Sequence, residues 1–331
     1  MEWAFIAETI IKVLVVVLVF SALAGIGTYF ERKVLAFMQR RLGPMHVGPF
    51  GLLQVAADGI KLFTKEDIIP TGVVKPIFKI APVITAATAF MAAAAIPFWP
   101  EFTVPFTDYV VSPIISDLNI GVLYILSVMA IGLYGPLLGG MASNNKWSLI
   151  SAARGASIFI SYEVITGLSL LAPLMIVGSF SLLDFNAYQS AGVTDWIVWQ
   201  QPVAFILFWI AAFAETGRTP FHLVANDHEI IDGFGTEYSG MRWGLFAIGE
   251  YANMFFLAFV MALIFLGGFG DGSVLGALGL LLKVSLIFFF FLWTRAAWPD
   301  VRPDQLMWLC WKVLMPLAII NIVITGFVLM F

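Results

Sequence analysis

An all-α, polytopic membrane helix bundle is the predicted fold class, with about eight transmembrane helices and an amphipathic surface helix in the first cytoplasmic loop. Three observations predict it. Only 11% of the 331 residues are charged and 61% are hydrophobic, whereas a soluble domain carries about 25% charged residues. Apolar runs of about 20 residues, the length that crosses a bilayer as helix, recur along the whole chain, so they are not one signal peptide ahead of a soluble domain. No alternating pattern of about ten residues, the mark of a membrane β-barrel, is present.

The predicted spans are 5–28, 77–97, 119–141, 156–178, 197–214, 241–266, 274–294 and 309–330. Each is too long and too uniformly apolar for the surface helix of a soluble protein. Together they form a single integral membrane domain, 1–331, with loops near 29–76, 142–155, 215–240 and 295–308. Those odd-numbered loops and their edges hold 15 of the 17 Lys and Arg, and the even loops hold none. Short loops rich in Lys and Arg stay cytoplasmic. The odd loops are therefore expected in the cytoplasm and both termini in the periplasm. The other two cations, Lys12 and Lys283, fall within spans. Lys12 lies early enough to snorkel outward, and Lys283 is expected to pair with an acid.

Within the first loop, Gln54, Asp58, Lys61 and Lys65 are spaced 4, 3 and 4 apart, which makes one helical stripe. Leu53, Val55, Ala56, Ile60, Leu62 and Phe63 fill the rest, so a helix is predicted over Leu52 to Lys65. It is too short to span. It suits either the membrane surface or the underside of a partner protein.

The chain has little redox chemistry of its own. One cysteine, Cys310, cannot form an internal disulfide or hold an iron–sulfur cluster, which usually takes four cysteines. His46, His222 and His228 all lie outside the spans, so no intramembrane haem-ligand pair exists. No His-Glu-x-x-His spacing is present, and metal binding is not expected. No basic cluster with interleaved aromatics suggests nucleic acid, and no glycine-rich phosphate loop suggests a nucleotide.

Carboxylates inside spans are the more informative feature. A charge at the bilayer centre costs roughly 2.5–3.5 kcal/mol on insertion scales. Glu163 in the fourth span, Glu250 in the sixth and Glu215 at the end of the fifth therefore need a reason. Either they form a proton or ion path, or each pairs with an arginine and fixes packing. From Glu215 to Arg242 the chain is unusually acidic, with Asp227, Glu229, Asp232 and Glu237. Such a loop is either solvated or lines a cavity or a subunit interface.

Several motifs together resemble one family. They are Glu31-Arg32-Lys33, then Arg41-Leu42-Gly43-Pro44, then Val47-Gly48-Pro49-Phe50-Gly51-Leu52-Leu53-Gln54, followed by Ala57-Asp58-Gly59-Ile60-Lys61-Leu62-Phe63. Ser161-Tyr162-Glu163-Val164, Glu215-Thr216-Gly217-Arg218-Thr219-Pro220-Phe221, Glu237-Tyr238-Ser239-Gly240-Met241 and Gly249-Glu250-Tyr251 continue the match to Arg295-Ala296-Ala297. The pattern is similar to that of the H subunits of bacterial NADH-quinone oxidoreductases, the respiratory complex I enzymes, equivalent to mitochondrial NADH dehydrogenase subunit 1. It covers essentially the whole chain in order.

The resemblance implies a membrane subunit that forms much of the quinone chamber of a proton-translocating complex in the bacterial inner membrane. Quinone is then the substrate. Iron–sulfur clusters and any flavin lie on partner subunits, and other subunits of the complex and membrane lipids are the partners. Carried over by position, Asp58, Glu163, Glu215, Asp227, Glu229, Glu237 and Glu250 form the proton relay, while Arg32 and Arg295 line the quinone chamber. The chain departs from the family at His222 and Ala225, where acids are usual, and at Asp300 and Pro303. A histidine titrates near neutral pH, so the pH response is expected to differ.

Other functions fit parts of the pattern. A related membrane subunit of a ferredoxin- or hydrogenase-linked complex would share the scaffold. A stand-alone cation or proton transporter would use the buried acids, but no internal repeat gives two inverted halves. A purely structural anchor would have no use for seven family-matched acids.

Overall fold

The computed structural model describes residues 2–103, 110–112, 114–225, 227–270 and 273–330. Its first helix, α1 (Glu2–Met38), has 37 residues, a rise of about 55 Å against a hydrocarbon core of about 30 Å. No Gly or Pro follows position 28 until Gly43-Pro44, and the helix continues ten residues beyond the predicted end at 28. Glu31-Arg32-Lys33 therefore ride on a helix rather than in a loop.

The short helix α2 (Gln54–Thr64) forms as predicted and has no buried residue. Gln54 and Asp58 of its polar stripe are half-buried, with Asp58 paired to Arg32 of α1, while Lys61 and Lys65 are exposed, as are Ile60 and Phe63. Next come α3 (Lys75–Ala92) and α4 (Gly121–Ala142), linked through a small antiparallel ribbon of Phe102–Thr103 with Val110–Val111. Helix α5 (Lys146–Val177) starts ten residues before the predicted 156. Asn145 caps it by accepting from the Trp147 amide at 3.0 Å. It ends at Gly178, whose φ of 74° suits the left-handed stop.

The predicted fifth span is broken. After α6 (Leu182–Tyr188), the segment divides into α7 (Ile197–Gln200) and α8 (Pro202–Glu215). Proline lacks the N–H that would continue the ladder and restricts the residue before it, and Gln201 sits at φ −131° and ψ 59°. The freed Gln201 side chain donates to Thr325 Oγ1 (2.9 Å) and accepts from Asn321 (3.0 Å). With 14 residues, α8 rises about 21 Å, short of a full crossing. Among the described residues, seven helices are long and apolar enough to span, and α8 is an eighth, shorter apolar helix in the place of the fifth predicted span.

The chain finishes with α9 (Asp227–Ile230), α10 (Gly240–Phe265), α11 (Val274–Ala297), α12 (Pro303–Leu309) and α13 (Met315–Met330). A π-helical turn at Cys310–Leu314 joins the last two into one apolar stretch. Helix α10 is the centre of the bundle: 78% of its most apolar stretch is buried, against 17% for the stretch ending in α13. Close approach of α3 depends on two glycines. A Cβ at Gly135 of α4 would fall 2.9 Å from the Ala81 carbonyl, and one at Gly249 of α10 would fall 3.0 Å from the Thr85 carbonyl. Small residues of this kind let membrane helices pack backbone to backbone.

Two cations behave differently from expectation. Lys12 is buried, and it pairs with Glu8 (2.5 Å) and donates to Ser112 Oγ (2.7 Å). It clamps the loop after α3 instead of snorkelling. Lys283 donates to the Gly268 carbonyl (2.9 Å) and lies 4.4 Å from the Trp196 ring centre. Among the described residues, a carbonyl and an aromatic face stand where an acid was expected.

Candidate functional site

Four elements converge on one carboxylate, Glu31. Helix α1 carries it and α10 contributes Glu250 and Tyr251. The end of α11 contributes Arg295, and the turn after α8 contributes Arg218. Arg218 Nη1 donates to Glu31 Oε2 (2.8 Å), as does the Tyr251 hydroxyl (2.7 Å). Arg295 Nη1 donates to Glu31 Oε1. Arg218 Nε lies 2.9 Å from Glu250 Oε1 but off the hydrogen-bond line, so that contact is an ion pair only. The guanidinium also sits 4.5 Å from the Tyr251 ring centre. Two arginines and two glutamates make the cluster neutral, and the side chains of Glu31 and Arg218 are only 7% and 3% exposed. Burial opposes the charge of Arg218, yet Glu250, Tyr251 and Glu31 hold its pKa above the ordinary arginine value.

Local turns place Arg218 there. Gly217 takes φ 61°, Arg218 N donates to the Phe213 carbonyl, and Phe221 N returns to the Arg218 carbonyl at 2.8 Å. His222 Nδ1 lies 2.7 Å from the Gly217 carbonyl, so that nitrogen carries the proton and ties off the turn.

A second group contrasts with the first. Glu215 ends α8 with Oε2 buried and without a hydrogen-bond partner. Glu163, on the exposed side of α5, is near enough for the two charges to repel. Neither forms a salt bridge among the described residues. The Tyr162 hydroxyl, next to Glu163, is also buried and unpartnered.

The remaining acids are tied elsewhere. Asp58 binds Arg32 Nη1 (2.7 Å) and accepts from Gln54 (3.0 Å), which joins α2 to α1. Glu229 pairs with Arg154 of α5, and Glu237 accepts from Asn145 (2.8 Å). The Trp243 indole donates to Asp232 (3.1 Å). Ser148 Oγ donates to the Gly233 carbonyl (3.0 Å), and Ser151 Oγ donates to that of Val224. The acidic loop is thus strapped onto α5 rather than loosely solvated. Beside it, Tyr238 stacks on Phe78 at 4.0 Å. Burial pushes the Tyr238 phenol above its usual range, against the pull of Arg242. The side chains of Asp227 and His228 lie outside the described residues.

Sequence-predicted residues therefore fall into separate groups. Glu163 and Glu215 come together, Glu250 joins the neutral cluster, and Asp58, Glu229 and Glu237 are each held by a different partner. Arg32 and Arg295 bind different acids. Glu31, Arg218 and Tyr251 were absent from the predicted site, although all three lie in the family-like motifs. Continuing the first helix through Glu31 would have exposed that carboxylate as an intrahelical charge. Among the described residues, no group of three or more His, Cys, Asp or Glu is placed to hold a metal.

A family model described as NADH dehydrogenase matches residues 11–326. The chain is 81% identical over 330 residues to the NADH-quinone oxidoreductase H subunit of Sulfurimonas denitrificans, with 100% of both chains covered. It is 68% identical to the corresponding H subunit of Nitratiruptor sp., over 99% of both chains. The H subunit of the Wolinella succinogenes enzyme is 64% identical, over 98% of both.

Proposed function

The chain belongs to the NADH dehydrogenase family as a membrane subunit of the NADH-quinone oxidoreductase complex, and from that premise we propose that it walls the quinone chamber and couples quinone reduction to proton translocation. It contributes to an enzyme without holding a redox group itself. Two electrons from an iron–sulfur cluster on a partner subunit, with two protons, convert quinone to quinol. In this reading the whole chain is one membrane domain in the bacterial inner membrane. Its odd loops are cytoplasmic and both termini periplasmic.

The observation that carries the proposal is Glu215 with its unpartnered buried oxygen. It lies three positions before Arg218 of the neutral cluster. Arg32 and Arg295 are the polar groups offered to the quinone headgroup. A change of charge in the chamber on reduction perturbs Arg295 and, through Glu31, Arg218. A low-dielectric cluster transmits such a change, because an uncompensated buried charge is costly. Glu215 and Glu163, two acids in mutual reach with no salt-bridge partner among the described residues, share and pass protons. Asp58, Asp227, Glu229, Glu237 and Glu250 complete the proposed relay toward the loops.

Glu215→Gln tests this in native membranes. The expected outcome is a fully assembled complex on native gels, with quinone reduction and proton pumping lowered together. Full activity and pumping in an assembled complex would remove Glu215 from the relay.

A further inference from the structure

On the side of α1 turned toward α11 lies an open cleft of about 790 Å³, lined among others by Lys33, Phe37, Arg41, Leu42, Phe289 and Trp293. Neither the neutral cluster nor the Glu163–Glu215 pair contributes a lining residue. Its walls are mainly apolar, and Phe37 and Leu42 are 85% and 82% exposed. Two cations stand at its rim. Lys33 Nζ lies 3.1 Å from the Met45 sulfur and 5.6 Å from the ring centre of Tyr29, and Arg41 Nε donates to Gln39 (2.7 Å). Neither has an acidic partner among the described residues, although Arg32, adjacent to Lys33, is paired with Asp58 on α2.

We infer that this cleft is a binding site for an anionic phospholipid, with the phosphate headgroup on Lys33 and Arg41 and an acyl chain along Phe37, Phe289 and Trp293. The cleft lies at the ends of two spanning helices, so its apolar walls face a source of acyl chains. Basic pockets between membrane helices on the cytoplasmic side recognise anionic headgroups, and tryptophan favours that interface. Two unpaired cations complement an anion; a neutral quinone headgroup would leave both uncompensated. The quinone-facing arginine, Arg32, also points to a different neighbour, α2. The site therefore stands independently of the proposed quinone chamber.

The test uses the whole assembled complex in mild detergent, supplied with phosphatidylglycerol or phosphatidylcholine. Native mass spectrometry compares wild type with the double variant Lys33→Gln/Arg41→Gln. Phosphatidylglycerol affinity is expected to fall about 30-fold, from the attraction of two cations near a membrane surface. Lys33→Arg/Arg41→Lys should retain the lipid. In parallel, a photoactivatable phosphatidylglycerol should label residues 33–43 of the wild-type complex, and excess inorganic phosphate should not prevent it. This second arm decides alone if the double variant fails to assemble. Equal retention by variant and wild type would overturn the inference. So would equal labelling by phosphatidylcholine, displacement by free phosphate, or crosslinks showing a helix from another subunit in the cleft.

Discussion

The buried group around Glu31 and the group around Glu215 meet at one turn of this membrane bundle and are opposites in chemistry. Around Glu31, every charge has a counter-charge, and Arg218 is almost wholly enclosed. Around Glu215, a buried oxygen has no partner, and the charge that reaches it is another acid, Glu163. Three positions of chain separate Glu215 from Arg218. Compensation makes the first group rigid and expensive to disturb. The lack of it suits the second group to the proton-carrying role proposed for it. A coupling device needs both properties side by side, one to transmit a change of charge and one to answer it with a proton.

The cluster should break first and hardest. Glu31→Gln leaves Arg218 and Arg295 with one acid between them. Removing one partner of a buried ion pair costs about 3–5 kcal/mol, so the assembled complex should be depleted on native gels and melt earlier. An unchanged melting temperature would mean that the cluster is not held by charge. Arg218 itself does not make this stability pH-dependent in the working range. Its folded pKa is raised, so its contribution is complete below the ordinary arginine value and is lost only as pH rises through a still higher one.

Glu163→Gln should have the reverse signature. No salt bridge is lost, since Glu163 has none among the described residues. Stability should stay within about 0.5 kcal/mol of wild type, as for surface substitutions, while pumping falls. Lost assembly with Glu163→Gln would erase the contrast between the two groups.

Most of the bundle was legible in the sequence because hydropathy is a local property. Seven of the predicted spans coincide closely with helices or lie within longer ones. The misplaced boundaries share a cause: hydropathy marks where a helix leaves the lipid, not where it ends. Charged helix formers carry α1 through Glu31 to Met38, and the Asn145 cap starts α5 early. The fifth span is broken for a reason visible at Pro202. The ionic pairings were not legible. Arg218, Tyr251 and Arg295 reach Glu31 across 187, 220 and 264 positions, and no periodicity encodes such distances. The acids of the fifth loop were individually recognisable, but their partners Arg154 and Asn145 lie on α5 and at its cap, far away in sequence.

Arg32 offers the finest test of the comparison, because it is ionic without being buried. Its side chain is 49% exposed and Asp58 is 23% exposed. An exposed pair of this kind contributes about 0–1 kcal/mol, so Arg32→Gln should barely change assembly or melting. If Arg32 meets the quinone headgroup, the variant should instead raise the KM for quinone, with kcat changed less. Ground-state binding lost without a transition-state contact gives that split. A wild-type KM together with a lowered melting temperature would reverse the assignment. Arg32 would then belong with Arg218 as a strut between helices, and the chamber's charge would rest on Arg295 alone.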